Sequence, residues 1–553
     1  MKKKSSDSAL PWIVARSKRY IPAVIALSVI SVLMALSAVW LALISRTVID
    51  IAAGEREGNL WSNGLLLFGI LIFEVLASAA SSIISVRTNG RMIISLRNYL
   101  FSALIKKKYP SISSYHSGEL MNRFTSDVDT VVSSTTTIIP SIVSTAAKIV
   151  AGVGTMLVLN RNIALAVLVL GIAIPALGRL ISKRYKQLHK ECQRTEGESR
   201  SFLQECFQNT VVIKSFISEL PFLKKLNQYM KKNYLLKIKR NNMSLVTSLG
   251  LFTFFSFGYY GVLLWGAGGI ASNAMTFGTL MAFLQLISQL RSPLQSVSGI
   301  MPQYYSALAS GERLMELESG ESELPPETDE QIAKIKADFR TIEIDDLDFA
   351  YEDEQILRDC TFSIARDKLT AITGESGSGK STLFKIMLGL YEPQRGGITI
   401  NGDTPLTPAT RGLFAYVPQG NMILSGSLRE NITLCDDTIS EERIIAAAKT
   451  AVIYDFIETL PDGLDTVVSE RGSGLSEGQI QRIAIARALL FDAPVLLFDE
   501  STSALDEQTE TALLTNIKAL PDKTVIFITH RGTSISVCDH IIHVKDKRFT
   551  QKK

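Results

Sequence analysis

Gly374-Glu375-Ser376-Gly377-Ser378-Gly379-Lys380-Ser381 decides how the rest of the chain is read. Before it runs Leu369-Thr370-Ala371-Ile372-Thr373, an apolar run with the length and composition of a buried strand. After it, Thr382-Leu383-Phe384-Lys385-Ile386-Met387-Leu388 reads as a helix. Strand, glycine loop and helix together make the setting of a phosphate cradle. The glycines let backbone N–H groups converge with no Cβ in the way. The helix start adds its partial positive charge. Lys380 is placed to reach the outer phosphates of a nucleotide, and the Ser381 hydroxyl is placed for Mg²⁺. Gly374 through Thr382 are therefore candidate nucleotide-binding residues, ATP-binding if the rest of the chain is that of an ATPase.

The 553 residues are enough for two domains. The net charge of +4 averages two unlike halves. Residues 20–310 carry long apolar runs, whereas residues 320–553 have the charge density of a soluble domain. The five cysteines are scattered and never spaced Cys-x-x-Cys, which argues against a zinc site or a disulfide framework. They fit thiols in a reducing compartment. Nothing in the chain points to nucleic acid.

A helix crosses the hydrocarbon core with about 20 apolar residues. Spans are expected near 20–45, 61–86, 133–159, 162–182, 245–270 and 275–300. The first is too long for a signal-peptide core and reads as a retained anchor, with no room before it for a folded domain. Lys and Arg crowd three segments: the stretch before span one, the loop between spans two and three, and the loop between spans four and five. The alternate loops hold only Arg46, Arg56 and Arg161. The positive-inside rule then places the N-terminus, both long loops and the C-terminal half in the cytoplasm. The long loops, 87–132 and 184–244, keep helical spacing with few Gly or Pro, so they read as continuations of the spans. Breaks near Tyr115-His116-Ser117-Gly118 and from Gln208 to Glu219 mark their tips.

Glu74, Lys148 and Arg291 fall at membrane depth. A lone charge facing lipid costs at least ~2.5 kcal/mol, so each should face protein or a wet cavity. Two readings stand: a gating or substrate-facing role, or a Glu74–Lys148 pair inside the bundle. Pro140, Pro175 and Pro293 are candidate kinks. Trp61 and Trp265 fall at expected membrane interfaces, where they read as anchors.

An acidic, Pro-containing stretch at 311–337 reads as a linker. Beyond it, Val495-Leu496-Leu497-Phe498-Asp499-Glu500 is a buried strand ending in two carboxylates. Asp499 is placed to hold Mg²⁺, and Glu500 to orient or deprotonate an attacking water. Between the phosphate loop and this strand stands Leu475-Ser476-Glu477-Gly478-Gln479. It is followed by Ile480-Gln481-Arg482-Ile483-Ala484-Ile485-Ala486-Arg487-Ala488-Leu489.

Here the chain closely resembles the ATP-binding cassette transporters, whose signature motif is Leu-Ser-x-Gly-Gln ahead of such a helix. Glu477 stands where that family most often has Gly. By the same resemblance Tyr351 is the aromatic that stacks on adenine, and Gln419 is the glutamine that meets the metal and nucleotide. Asp506 in Ser503-Ala504-Leu505-Asp506 belongs to the D-loop, and His530 is the switch histidine. Glu470-Arg471-Gly472 is similar to the loop before the signature in exporters. Ser117-Gly118-Glu119-Leu120-Met121-Asn122-Arg123 with Ser126-Asp127-Val128-Asp129 is similar to that family's first intracellular loop. The usual helical tail after Ile541-Ile542-His543-Val544 is expected to be short.

The resemblance implies a six-helix transmembrane domain of the ABC exporter type fused to an α/β P-loop nucleotide-binding domain. The expected division is a membrane domain at 1–318, a linker at 319–337 and a cassette at 338–553. It also implies ATP and Mg²⁺ as cofactors, with Ser381, Gln419 and Asp499 on the metal and Glu500 and His530 catalytic. Leu475 to Gln479 would contact ATP held by a second half-transporter subunit, a homodimer being favoured because every motif is intact. The expected setting is a prokaryotic inner membrane. The expected activity is ATP-driven export of an amphiphilic drug, lipid or peptide by alternating access. An importer of the same architecture and a membrane-anchored regulatory ATPase are the alternatives.

Overall fold

The computed structural model describes residues 9–552, apart from 324–327, 421, 470, 471 and 473. Glu470, Arg471, the linker residues 324–327, and the side chains of Pro175 and Pro293 lie outside the described residues. The chain forms two compact units, residues 1–103 with 117–319, and residues 104–116 with 320–553.

The first unit is helical. Its long helices are α1 (Ile21–Ala52), α2 (Leu60–Ile105), α3 (Val128–Leu159), α4 (Arg161–Gln208), α5 (Glu219–Ala271) and α6 (Phe277–Glu318). A short helix, Ala9–Ser17, precedes α1. At 1.5 Å per residue, the 46 to 53 residues of α2, α4 and α5 span roughly 70–80 Å. A hydrocarbon core is only ~30 Å thick, so more than half of each helix extends beyond it, in line with the helical spacing of the long loops.

Helices α1, α3 and α6 pack on one another, and α4 packs on α5. Val39 and Ala42 of α1, Met156 of α3 and Phe283, Leu286 and Leu290 of α6 form one shared core. Asp50, buried near the end of α1, accepts a hydrogen bond from the Gly278 backbone N–H at the start of α6 (2.9 Å). A Cβ at Gly278 would lie 2.5 Å from the Arg46 carbonyl, so this crossing requires glycine. Pro140 sits within continuous helix. At membrane depth Glu74 accepts from Ser37 (2.8 Å). Arg291 lies over the Phe252 ring (4.9 Å). Among the described residues no ion pair joins Glu74 to Lys148. Past the membrane-depth windows, buried Asp127 accepts from Ser310 and from both ends of the Arg313 guanidinium.

The second unit holds two large sheets and a small antiparallel ribbon of β7 (Gly426–Ser427) with β8 (Val467–Val468). β1 (Thr341–Tyr351), β2 (Glu354–Ala365), β4 (Arg395–Ile400) and β5 (Thr404–Pro405) form an antiparallel sheet in the order β2-β1-β4-β5. β3 (Leu369–Gly374), β6 (Phe414–Val417), β9 (Val495–Asp499), β10 (Thr524–Ile528), β11 (His540–Lys545) and β12 (Arg548–Lys552) form the other, in the order β12-β11-β3-β10-β9-β6. Only β11–β12 pairs antiparallel there. β3, β9, β10 and the edge strand β6 are mostly buried, and their continuous apolar sequences reflect that. Phe349, Phe362, Phe384, Leu497 and Phe549 fill the core between the sheets. A second core lies under the helices Leu428–Thr433, Glu441–Thr450 and Glu477–Leu490.

Residues 106–108 belong to this unit. Lys107 bridges to Ser322, the Lys108 N–H donates to the Glu321 carbonyl, and the Glu323 N–H donates to the Lys106 carbonyl. Lys108 Nζ also reaches Glu392 (3.0 Å). The short helix Tyr109–Ser113 follows, with Tyr109 edge-on to Tyr391 (5.7 Å). The second loop tip is the short helix Thr210–Ser215.

Candidate active site

Parallel pairing aligns the ends of β3, β6, β9 and β10 along one sheet edge. The chain leaves that edge at Gly374, Val417, Asp499 and Ile528, which brings Lys380, Gln419, Glu500 and His530 together. The cradle turns through left-handed glycines, with φ of 78° at Gly377 and 97° at Gly379. A Cβ at Gly379 would lie 2.8 Å from Leu357 and 3.1 Å from the Ile356 carbonyl. Gly379 then caps the helix Lys380–Met387. Lys380 Nζ donates to the Gly374 and Glu375 carbonyls (2.8 and 2.7 Å). Burial pulls its ammonium below the ordinary value, against the opposing pull of Glu500 and Asp499. The Ser378 hydroxyl oxygen is buried with no hydrogen-bond partner among the described residues. An orphaned hydroxyl inside a glycine cradle fits a phosphate ligand.

Ser381 Oγ donates to Asp499 (3.0 Å), and Tyr416 Oη donates to its other oxygen (3.3 Å). Burial pushes the Asp499 carboxyl above the usual carboxylate range, and Glu500 adds to the rise, while the bonds from Ser381 and Tyr416 oppose it. The Ser381, Gln419 and Asp499 oxygens are hard donors of the kind Mg²⁺ prefers. Gln419 Nε2 donates to Glu500 (2.6 Å), whose other oxygen is 3.8 Å from His530 Nε2. Glu500 has φ of 49°, left-handed and strained for a residue with a Cβ. Its N–H donates to the Ile528 carbonyl, which fixes the turn. Tyr351 packs edge-on to Phe349 and Tyr391, its hydroxyl 3.5 Å from that of Thr382.

The signature opens the helix Glu477–Leu490. Ser476 caps it, accepting from the Gln479 N–H while the Gln479 side chain accepts from the Ser476 N–H. Ser476 and Glu477 are exposed. Among the described residues no hydrogen bond joins residues 374–382 to 475–479.

Three residues outside the expected site organise it. Gln481, buried, donates to Ser503 and accepts from the Ala504 N–H. Arg531 donates to the Ser503 and Leu505 carbonyls and to Glu510. Buried Glu510 also accepts from Thr533 and Ser534. The D-loop is thus clamped between the signature helix and the chain after His530. Asp506 caps the helix Glu507–Lys518 through Thr509. A Cβ at Gly478 would come within 2.9 Å of the Ala504 carbonyl, so this glycine is needed for close approach, not for a turn. Gln481 stood in the quoted signature helix. Its role was invisible there because the D-loop it holds is over twenty residues away.

One unit carries a phosphate cradle and a carboxylate–amide–imidazole cluster on one sheet edge, and the other is built of long apolar helices; together they define the class of membrane-embedded ATPases. Residues 21–294 match the ABC transporter transmembrane region, and residues 357–503 match the ABC transporter family. The ATP-dependent lipid A-core flippase of Haemophilus influenzae is 30% identical over 86% of this chain and 82% of its own length. ABC transporter B family member 1 of Dictyostelium discoideum is 27% identical over 98% of this chain, which spans only 60% of that protein. The structure of a bacterial Atm1-family ABC exporter with ATP bound superposes with a TM-score of 0.80, at 24% identity, over 97% of this chain and 95% of that one. The chain belongs to the ABC transporter family and has the fold of an exporter-type half-transporter.

Proposed function

We propose that two copies of the chain form an exporter that moves a lipid-like amphiphile across the membrane as ATP is hydrolysed. The observation that carries this reading is the set Lys380, Ser381, Asp499, Gln419, Glu500 and His530, gathered complete at one edge while the signature of the same chain stays apart from the cradle. Each cradle then needs the Leu475–Gln479 segment of a second copy, and identical copies give two competent sites. Lys380 turns from the Gly374 and Glu375 carbonyls to the phosphates. Ser381, Asp499 and Gln419 would hold Mg²⁺, and the ion would supply charge neutralisation to the phosphates. Glu500 accepts the proton of the attacking water, oriented by Gln419 and assisted by His530. The segment 106–113, tied to Glu321, Glu323 and Glu392, carries cassette closure toward the helices.

Lipid cargo is supported by the flippases among the relatives and by the helices themselves. In the most apolar window of each of four helical stretches, no more than 28% of the residues are buried. The membrane is the inner membrane of a bacterium, with the cassette in the cytoplasm.

The test is reconstitution in proteoliposomes with fluorescent lipids. ATP should drive movement away from the leaflet that faces the cassettes. Glu500→Gln should still bind ATP while turnover and lipid movement both fall about 10²–10³-fold. ATP turnover with no lipid flux, or flux toward the cassette side, would overturn the reading.

A further inference from the structure

The first unit holds an open groove of about 720 Å³ between the helix Ala9–Ser17 and helices α1, α3 and α6. Ile21, Ile25 and Val29 of α1 face Ile138 and Ile142 of α3 across it, with Leu308 of α6 beside them. Two of the hydroxyls in its wall are spent on their own helices: Ser28 donates to the Val24 carbonyl, and Thr135 to that of Val131. Its polar end is different. Ser17 lines the groove and is only 3% exposed, yet its hydroxyl has no partner among the described residues. Lys18 and Arg19, both exposed, stand between the lining residues Ser17 and Ile21.

The groove follows α1 from Ile21 to Leu33, about 18 Å at helical rise. One leaflet of a bilayer is roughly 15 Å of hydrocarbon. The feature is thus one leaflet deep, predominantly apolar along its length, and marked at its N-terminal end by an unspent hydroxyl and two neighbouring cations.

We infer that this groove is a site for one acidic phospholipid of the leaflet at the N-terminal side. One acyl chain lies along α1, an ester oxygen accepts from Ser17, and the phosphate lies by Lys18 and Arg19. The lipid is resident, not cargo: it binds between helices of one chain and stays through turnover. The inference goes beyond the proposed export cycle and does not depend on what that cycle moves.

The experiment uses the full chain, purified and delipidated, and native mass spectrometry with added phosphatidylglycerol or phosphatidylcholine. Wild type should retain one phosphatidylglycerol per chain, at least tenfold more tightly than phosphatidylcholine, and keep it during Mg-ATP turnover. The double substitution Lys18→Gln with Arg19→Gln should erase that preference and leave phosphatidylcholine binding as it was. Ile25→Trp, at an exposed position in the groove wall, should weaken retention of both lipids at least fivefold. Equal binding of the two lipids by wild type, or retention untouched by both variants, would overturn the inference. So would release of the lipid on turnover. Cross-linking from a photoreactive residue at Ile25 to a second copy would overturn it too, since a protein helix would then fill the groove. Lipid movement measured in parallel reports on the export reading separately.

Discussion

Replacing Gly478 with Ala separates two opposed effects at the signature. Ala is the better helix former, worth about 0.5–1 kcal/mol over Gly inside a helix. Its Cβ, however, would stand 2.9 Å from the Ala504 carbonyl oxygen and 3.3 Å from Leu505 Cδ2. Relief needs about half an ångström of movement, since carbon and oxygen contacts are favourable only beyond roughly 3.3–3.5 Å. The D-loop cannot yield freely, because Gln481 holds Ser503 and Ala504 on one side and Arg531 holds Ser503 and Leu505 on the other. Overpacking against a fixed neighbour costs about 1–3 kcal/mol, so the clash outweighs the helical gain and the cassette loses up to about 2 kcal/mol. The larger effect falls on turnover. A 1 Å misplacement in a catalytic assembly costs on the order of 10²-fold, so half that shift predicts roughly a tenfold loss. The assay is Mg-ATP turnover of the full chain in nanodiscs, with thermal unfolding of the same samples. Gly90→Ala is the control: it sits within α2 with nothing within 4 Å of a new Cβ, and it should leave turnover unchanged. Wild-type turnover and melting in Gly478→Ala would refute the close-approach argument.

Tyr416→Phe removes a hydrogen bond that favours the ionised form of Asp499. The Asp499 pKa, already raised by burial, should rise further and move the acid limb of the ATPase pH profile upward; an unmoved limb would contradict the role given to Asp499. For Glu510, burial pushes the carboxyl up, but hydrogen bonds from Ser534, Thr533, Arg531 and Thr502 outweigh it and hold the group below its ordinary value. The resulting stability is present above the ordinary glutamate pKa of about 4.3 and lost as pH falls through the depressed value. Glu510→Gln should therefore cost about 1–2 kcal/mol near neutral pH, allowing for the partly exposed Arg531, and should flatten the acid side of the melting-temperature profile. Asp127→Ala strips Arg313 and Ser310 of their shared acceptor. It should lower the melting temperature of the full chain through a loss of about 2 kcal/mol, with ATP binding by the cassette retained.

The elements that were legible in the sequence are those set by local rules. Apolar length marked the helices α1 to α6, and glycine chemistry marked the turn from Gly374 to Ser381. Strand-end carboxylates marked Asp499 and Glu500, whose convergence with Gln419 and His530 follows from parallel pairing. Residues whose work is done through distant partners were not legible. Gln481 looked like any polar residue on an amphipathic helix until the D-loop lay against it. Arg531 followed the switch histidine without drawing notice, and Glu510 sat in a charged helix start. Glu74 illustrates the same limit inside the bundle. Its charge marked it as costly, but the Ser37 hydroxyl that meets it is one of many serines in α1. The pairing of residues 106–108 with 321–323 was equally hidden, since neither segment has the alternation of a strand.

That last pairing bears on how such a chain can be cut and recombined. The compact unit that holds the cassette includes residues 104–116, which the ribosome makes more than 200 residues before it reaches Gly320. A gene fragment beginning at the linker encodes a cassette missing one strip of its own surface, the strip that brings Lys108 to Glu321 and Glu392. A chimaera that exchanges cassettes at a single junction in the linker would therefore set the host's strip against a foreign edge. Exchange of residues 104–116 together with the C-terminal half keeps the native strip, so a functional swap needs three breakpoints where the domain order suggests one.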